Sequence, residues 1–176
     1  KGRDVDVALL EGAAYQLGYL ATWALNCGYV PQRIANSAHP SLVPSQNFET
    51  KDGWVSVLCM KHKFYPILVE KMSRPELAGD PRFRTPKDRY ENREALLGIL
   101  SREFRQKTTA EWAALLAGHV PFAPVNTVAE ALEDPQLTAR EMLIEVEHPF
   151  AGAIKMLGCP VKFPGARMRW LRAPYL

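Results

Sequence analysis

The sequence predicts an α/β chain: one long helix, then a small α/β domain, then a segment of short helices and a hairpin. Three observations carry that reading. Residues 12–30 contain no charged side chain, and Ala13, Ala14, Gly18, Ala21 and Ala24 recur along them, as in a helix against which neighbours pack closely. Two short runs, Gln46 to Thr50 and the Trp- and Val-containing Trp54 to Cys59, flank Lys51-Asp52-Gly53, a turn-forming triplet, as in a hairpin. Thr108-x-x-Glu111 and Thr127-x-x-Glu130 each have the spacing of a capping box, in which a hydroxyl and a carboxylate satisfy the free N–H groups at a helix start.

Taken in order, residues 5–28 read as a single helix stopped by Gly28 and Pro31. Residues 29–44 lack hydrophobic period and carry Pro40 and Pro44, so they read as an extended connector. Residues 46–50 and 54–59 read as antiparallel strands, joined by a turn whose residue types tolerate a positive φ. Phe64, Leu68 and Met72 suit a short amphipathic helix, which Pro75, Gly79 and Pro81 end. A second helix is expected over residues 88–107, with Leu96, Leu97, Leu100 and Phe104 on one face and Arg93, Glu94, Arg102 and Glu103 elsewhere. A third opens at Thr108 and carries Trp112, Leu115 and Leu116. Residues 120–125 are apolar but broken by Pro121 and Pro124, which suits an edge strand or extended link. Asp134-Pro135 reads as a helix cap followed by proline at the first helical position. Residues 143–147 and 154–157 alternate as strands paired across the turn at 149–152. Trp54, Phe83, Phe104 and Trp112 are candidates for the core or a domain contact, whereas Asp6, Asn92, Arg93, Asn126 and Asp134 read as caps, turn formers or ion pairs.

Composition excludes several classes. With 176 residues, 47% of them hydrophobic, the chain can form one good core or two small ones and is not disordered. Its 22 basic and 19 acidic residues leave a net charge of +3 with no long run of one sign, so nucleic acid and anionic membranes are not expected partners. Cys27, Cys59 and Cys159 are odd in number, far apart and without C-x-x-C spacing, which argues against disulfides and zinc and for a cytoplasmic protein. No metal or redox cofactor is expected, because neither a ligand cluster nor a dinucleotide fingerprint is visible. No secretory signal is expected either. The uncharged run at 12–30 has the length of a membrane span, but it is rich in Ala and Tyr, carries Gln16 and Asn26, and follows Asp4, Asp6 and Glu11. A helix apolar on all sides is more simply one buried in a large protein or an oligomer.

Several motifs then fall in a particular order. Gly2-Arg3-Asp4-Val5-Asp6-Val7-Ala8-Leu9-Leu10-Glu11 opens the chain, and His39-Pro40-Ser41 with Pro44 leads into Phe48-Glu49-Thr50-Lys51-Asp52-Gly53-Trp54. Arg74-Pro75-Glu76-Leu77, Asp80-Pro81-Arg82-Phe83, Arg89-x-x-Asn92-Arg93 and Thr108-x-x-Glu111-Trp112 follow. Val120-Pro121-x-x-Pro124-Val125-Asn126, Asp134-Pro135-Gln136, Glu147-His148-Pro149 and Gly158-x-Pro160-Val161-Lys162-Phe163 complete the series. Each is common alone, but their order and spacing resemble the family III CoA-transferases, the group of formyl-CoA and carnitine-CoA transferases. The resemblance implies that residues 1–44 are a helix and connector of a large domain, 45–125 a small α/β domain, and 126–176 a return segment to the large domain. It also implies an intertwined homodimer, acting on acyl-CoA and a carboxylic acid, with the coenzyme A thioester as substrate rather than cofactor.

In that family an aspartate attacks the thioester and passes through a mixed anhydride and an aspartyl-CoA thioester, chemistry that needs a site closed to water. The resemblance places that aspartate upstream of residue 1, so the chain is expected to be a C-terminal fragment, inactive alone. The aspartates present have other settings: Asp4 and Asp6 open a helix, Asp52 sits in a turn, and Asp80 and Asp134 precede prolines. The family's loop after the second strand, often glycine-rich, closes over the acyl group. Here it corresponds to Leu58, Cys59, Met60, Lys61, His62 and Lys63, which contain no glycine. Cys59, Met60, Lys61, His62 and Lys63, with His39, are therefore the candidate substrate-binding residues, Lys61 or Lys63 offering a point charge to a phosphate or carboxylate. A solvated helix start at 61–63, and a connector cap at His39, are the plainer alternatives. Two rival functions remain: a 2-methylacyl-CoA racemase of the same fold, and a non-catalytic interaction module. Racemases tend to carry Gly-Gly-x-Pro-Phe-Tyr where this chain has Ser37-Ala38-His39-Pro40-Ser41, and a lid glutamate where it has Lys61.

Overall fold

The computed structural model describes residues 4–163. The leading helix is divided in two, α1 (Leu9–Tyr15) and α2 (Gly18–Cys27). Gly18 causes the break by taking φ +54°, a left-handed conformation that glycine adopts without penalty. The ladder tightens just before it, where Gln16 and Leu17 donate to Ala13 and Ala14 three residues back. At the other end the expected stop is present, since Gly28 caps α2 at φ +62°. Neither helix buries a residue, and Leu9 is 95% exposed.

A short 3-10 turn (Ala35–Ser37) precedes the hairpin β1 (Ser45–Glu49) and β2 (Trp54–Leu58). The strands pair antiparallel with Gln46 opposite Val57 and Phe48 opposite Val55, so these four side chains share a face. Phe48, Val55 and Val57 bury it. None of Lys51, Asp52 and Gly53 has a positive φ, against expectation. The glycine is needed instead for closeness, because a Cβ on Gly53 would lie 3.2 Å from the Thr109 hydroxyl.

Next come α3 (Phe64–Lys71), α4 (Glu76–Gly79), α5 (Pro86–Glu91), α6 (Arg93–Phe104) and α7 (Thr109–Leu116). The helix expected over 88–107 is thus two helices. It starts early because Thr85 and Asp88 form a capping box that spans Pro86 at the first helical position. It breaks at Asn92, whose side-chain amide donates to the carbonyls of Asp88 (2.9 Å) and Arg82 (3.2 Å) and competes with the helical ladder. The box of Thr108 and Glu111 opens α7 as expected.

The strand β3 (Phe122–Pro124) pairs antiparallel with β2 at the sheet edge, giving the order β1-β2-β3. Proline at an edge costs no ladder bond. Behind the sheet, Phe104 of α6 stacks on Phe48 at 4.7 Å and meets Trp112 of α7 at 4.9 Å, while the Trp112 indole donates to the Phe104 carbonyl at 2.8 Å. The buried hydrophobic residues run from Val43 to Val120 in one cluster. Trp54 points elsewhere and is exposed.

Beyond the sheet lie α8 (Val128–Leu132), capped by Thr127 and Glu130, and α9 (Pro135–Ala139), capped by Asp134. The hairpin β4 (Leu143–His148) and β5 (Gly152–Leu157) then forms a separate two-stranded sheet. His148 serves its turn, with Nδ1 accepting from the N–H groups of Phe150 and Ala151. No helix among the described residues is long and apolar enough to cross a membrane.

Candidate functional site

Past β2 the chain is pinned on both sides before it turns. Leu58 N–H donates to the Pro121 carbonyl (3.0 Å) and Cys59 N–H to the Pro44 carbonyl (2.9 Å). Residues 61–63 then make a tight turn, closed by Phe64 N–H donating to Lys61 and Tyr65 N–H to His62, that runs straight into α3. Met60, Lys61, His62 and Lys63 face solvent, with the Lys63 ammonium 5.2 Å above the Phe64 ring. Cys59 lies beneath them, 3% exposed, and burial pushes its thiol up to about 12, so it is a neutral thiol and a poor nucleophile. A backbone without glycine and with these hydrogen bonds presents the two lysines from a short ordered turn.

Under this turn sits Arg89 of α5, 1% exposed. Its Nε donates to the Val43 carbonyl at 2.8 Å and its Nη1 to the Phe83 carbonyl at 3.1 Å, while the guanidinium lies 4.4 Å from the Tyr65 ring centre. Nη1 also makes a long contact of 3.5 Å to Nδ1 of His62. An arginine only donates, so this nitrogen of His62 is the acceptor and the ring proton belongs on Nε2. Among the described residues no carboxylate is within ion-pair distance of Arg89. Burial lowers its pKa and raises that of the Tyr65 phenol, which donates to the Leu77 carbonyl at 3.0 Å. Sequence reasoning overlooked Arg89 except as part of a motif. No periodic signal could have found it, because Arg89 lies in α5 and the buried stripe of Leu96, Leu100 and Phe104 in α6, on the other side of the break at Asn92.

His39 stands in the connector. Its Nδ1 accepts from the N–H groups of Ser41 and Leu42, both at 3.1 Å, and its backbone N–H donates to Ser45. The ring stacks on Tyr19 of α2 at 5.3 Å and meets Trp23 at 6.3 Å. Desolvation lowers its pKa, which favours the neutral ring with its proton on Nε2. A small cavity of about 120 Å³ beside it is lined by Tyr19, Tyr29, Pro31, Ile34 and Pro40 among others. The structure therefore gathers residues 60–63 in one turn above Cys59, and sets His39 apart in an aromatic cluster; Val43 and Pro44 join the two regions.

The internal aspartates are engaged elsewhere. Asp52 accepts from the Thr109 N–H at 2.8 Å, Asp80 pairs with Arg82, Asp88 caps α5 and Asp134 caps α9. The backbone hydrogen bond from Thr109 holds the Asp52 carboxyl below the usual carboxylate range, and the Arg82 side chain does the same to Asp80. Carboxylates engaged in this way are held by caps, turns and ion pairs rather than poised as nucleophiles. Among the described residues no group of three or more His, Cys, Asp or Glu could hold a metal ion.

The fold and the turn define an α/β module that presents basic groups to solvent, while Asp52, Asp80, Asp88 and Asp134 are each engaged in a turn, cap or ion pair. The chain belongs to CoA-transferase family III, whose family model matches residues 1–176. It is 31% identical over 177 residues to the succinyl-CoA:glutarate CoA-transferase of Homo sapiens, covering 100% of this chain and 40% of that protein. It is 35% identical over 168 residues to the acetyl-CoA:oxalate CoA-transferase of Acetobacter aceti, covering 94% and 41%. A crystal structure of a CAIB/BAIF family protein from Brucella suis superposes with a TM-score of 0.76 at 32% identity, over 96% of this chain and 43% of that one. The chain thus spans about two fifths of the length of the curated relatives it matches.

Proposed function

We propose that this chain is the C-terminal part of an acyl-CoA:carboxylate CoA-transferase that works through an aspartyl-CoA thioester, its nucleophilic aspartate supplied by a segment upstream. The observation that carries the reading is the family match across the whole chain, together with relatives named as transferases between acyl-CoA and a carboxylic acid. Neither relative is named as a racemase. In this reading residues 1–44 and 126–176 belong to the large domain and 45–125 to the small one, in a cytoplasmic homodimer.

The reaction has two halves. An aspartate carboxylate attacks the donor thioester carbonyl and expels CoA thiolate, giving a mixed anhydride; the thiolate then attacks the aspartyl carbonyl and releases the donor acid. The acceptor carboxylate next attacks the aspartyl thioester, again expelling thiolate, which takes the acceptor acyl group and frees the aspartate. Every species that enters or leaves is anionic, so fixed cations at the mouth of the site favour binding throughout. Lys61 and Lys63 supply such charge, His62 offers an N–H donor, and Met60 offers an apolar contact. Cys59 supports them from below, and His39 offers its outer nitrogen beside the aromatic cluster.

The test is transfer of CoA from succinyl-CoA or acetyl-CoA to a panel of carboxylic acids by the full-length enzyme, resolved by chromatography. Wild type is expected to form new acyl-CoA species. Lys61→Ala with Lys63→Ala is expected to raise KM for acyl-CoA about tenfold, as loss of one or two phosphate contacts would. Loss of α-deuterium from a 2-methylacyl-CoA, with no transfer to any acid, would replace this reading with the racemase.

A further inference from the structure

Among the described residues Arg89 is a buried cation with no anion within ion-pair distance, an arrangement that gains little stability. A buried charge loses its hydration, and apolar side chains of similar volume often serve a core as well or better. What the guanidinium supplies is reach in several directions at once. Nε holds the connector at Val43, Nη1 holds the turn before α5 at Phe83, and the same nitrogen approaches His62. Its flat face rests on Tyr65 in the first turn of α3. Three separate stretches of chain therefore meet on one side chain, and one of them is the turn that carries Lys61 and Lys63 and runs into α3.

We propose that Arg89 is a positioning residue for the basic turn at 59–63, holding its lysines and the His62 N–H toward the phosphates of an acyl-CoA. The proposal rests on the reading of that turn as part of the CoA-transferase site. Arg89, Lys61 and Lys63 put positive charge on one short turn and its underside, which favours an arriving polyanion there. His62 links the layers: its Nδ1 faces Arg89, which leaves Nε2–H as the donor.

The experiment compares acyl-CoA with the matching acyl-pantetheine, which lacks phosphates, in the full-length enzyme. Arg89→Lys keeps the charge but loses the fork that reaches Val43, Phe83 and His62 together. It is expected to raise KM about tenfold for acyl-CoA and less than about twofold for acyl-pantetheine. His62→Phe removes the ring nitrogen that faces Arg89 at an exposed position, so the fold stays intact even if Arg89→Lys does not fold. It is expected to give the same selective rise and to speed hydrogen exchange of the 59–63 amides about fivefold or more. An equal change for both substrates, or unchanged exchange over 59–63, would overturn the proposal. Wild-type enzyme that transfers CoA to no acid would instead overturn the transferase reading, and the exchange measurement would still decide the role of Arg89.

Discussion

Asp52 shows how much a single polar residue organises here. Its carboxylate accepts from Thr109 N–H at the first turn of α7 and from the Thr50 hydroxyl, while that hydroxyl meets the Thr109 hydroxyl at 2.8 Å. The hairpin turn is thereby fastened to a helix N-terminus, where negative charge is favoured. The folded carboxyl lies below its ordinary value of 3.8, chiefly through the Thr109 backbone bond. A depressed folded pKa contributes stability above the unfolded value, and that contribution disappears as pH falls through the folded one. The melting temperature of the wild type is therefore expected to drop as pH is lowered from 4 toward 2. Asp52→Asn keeps the acceptor and removes the titration, so its melting temperature should fall less steeply over that interval. Identical slopes would show that the latch carries no charge-dependent stability. Asp88, Glu111 and Glu130, depressed by their capping hydroxyls and N–H groups, leave the variant partly acid-sensitive.

At the scale of elements, α6 and α7 hold the sheet through aromatic contact. Phe104 is fully buried between Phe48 of β1 and Trp112 of α7. Phe104→Ala is expected to cost about 3–5 kcal/mol, measured by denaturant unfolding, because the cavity would open between layers that cannot all collapse into it. A loss under about 1 kcal/mol would mean that this contact is not central to the core. These elements were legible in the sequence wherever the deciding chemistry is local. Thr108 with Glu111 and Thr127 with Glu130 are local pairs, and the prolines at 121 and 124 exclude a central strand without reference to anything else. The breaks were illegible because their causes are not periodic. Asn92 ends a helix by reaching the Arg82 carbonyl ten residues back, and Gly18 interrupts an apolar stretch that otherwise reads as continuous. The turn at Gly53 was foreseen for a different reason than the one that applies, since the approach of Thr109 is a tertiary fact.

For the whole molecule, the two ends of the chain differ from the middle. The buried cluster ends at Val43 and Val120, whereas α1 and α2 expose Leu9, Leu10, Tyr15 and Leu25. The sequence made these helices visible as a surface wanting a partner, through uniform apolarity rather than an amphipathic stripe. It made the turn at 59–63 visible as a candidate site but concealed Arg89 beneath it, because a charged residue is read as exposed until its carbonyl partners are known. The central claim is that this chain completes an enzyme that carries CoA on an aspartate. It is tested most directly by the intact mass of the full-length product after incubation with acyl-CoA donors, followed by hydroxylamine cleavage and peptide mapping. The account predicts a CoA adduct on an aspartate upstream of Lys1; a full-length protein that forms no adduct with any donor, yet exchanges the α-proton of a 2-methylacyl-CoA, would contradict it.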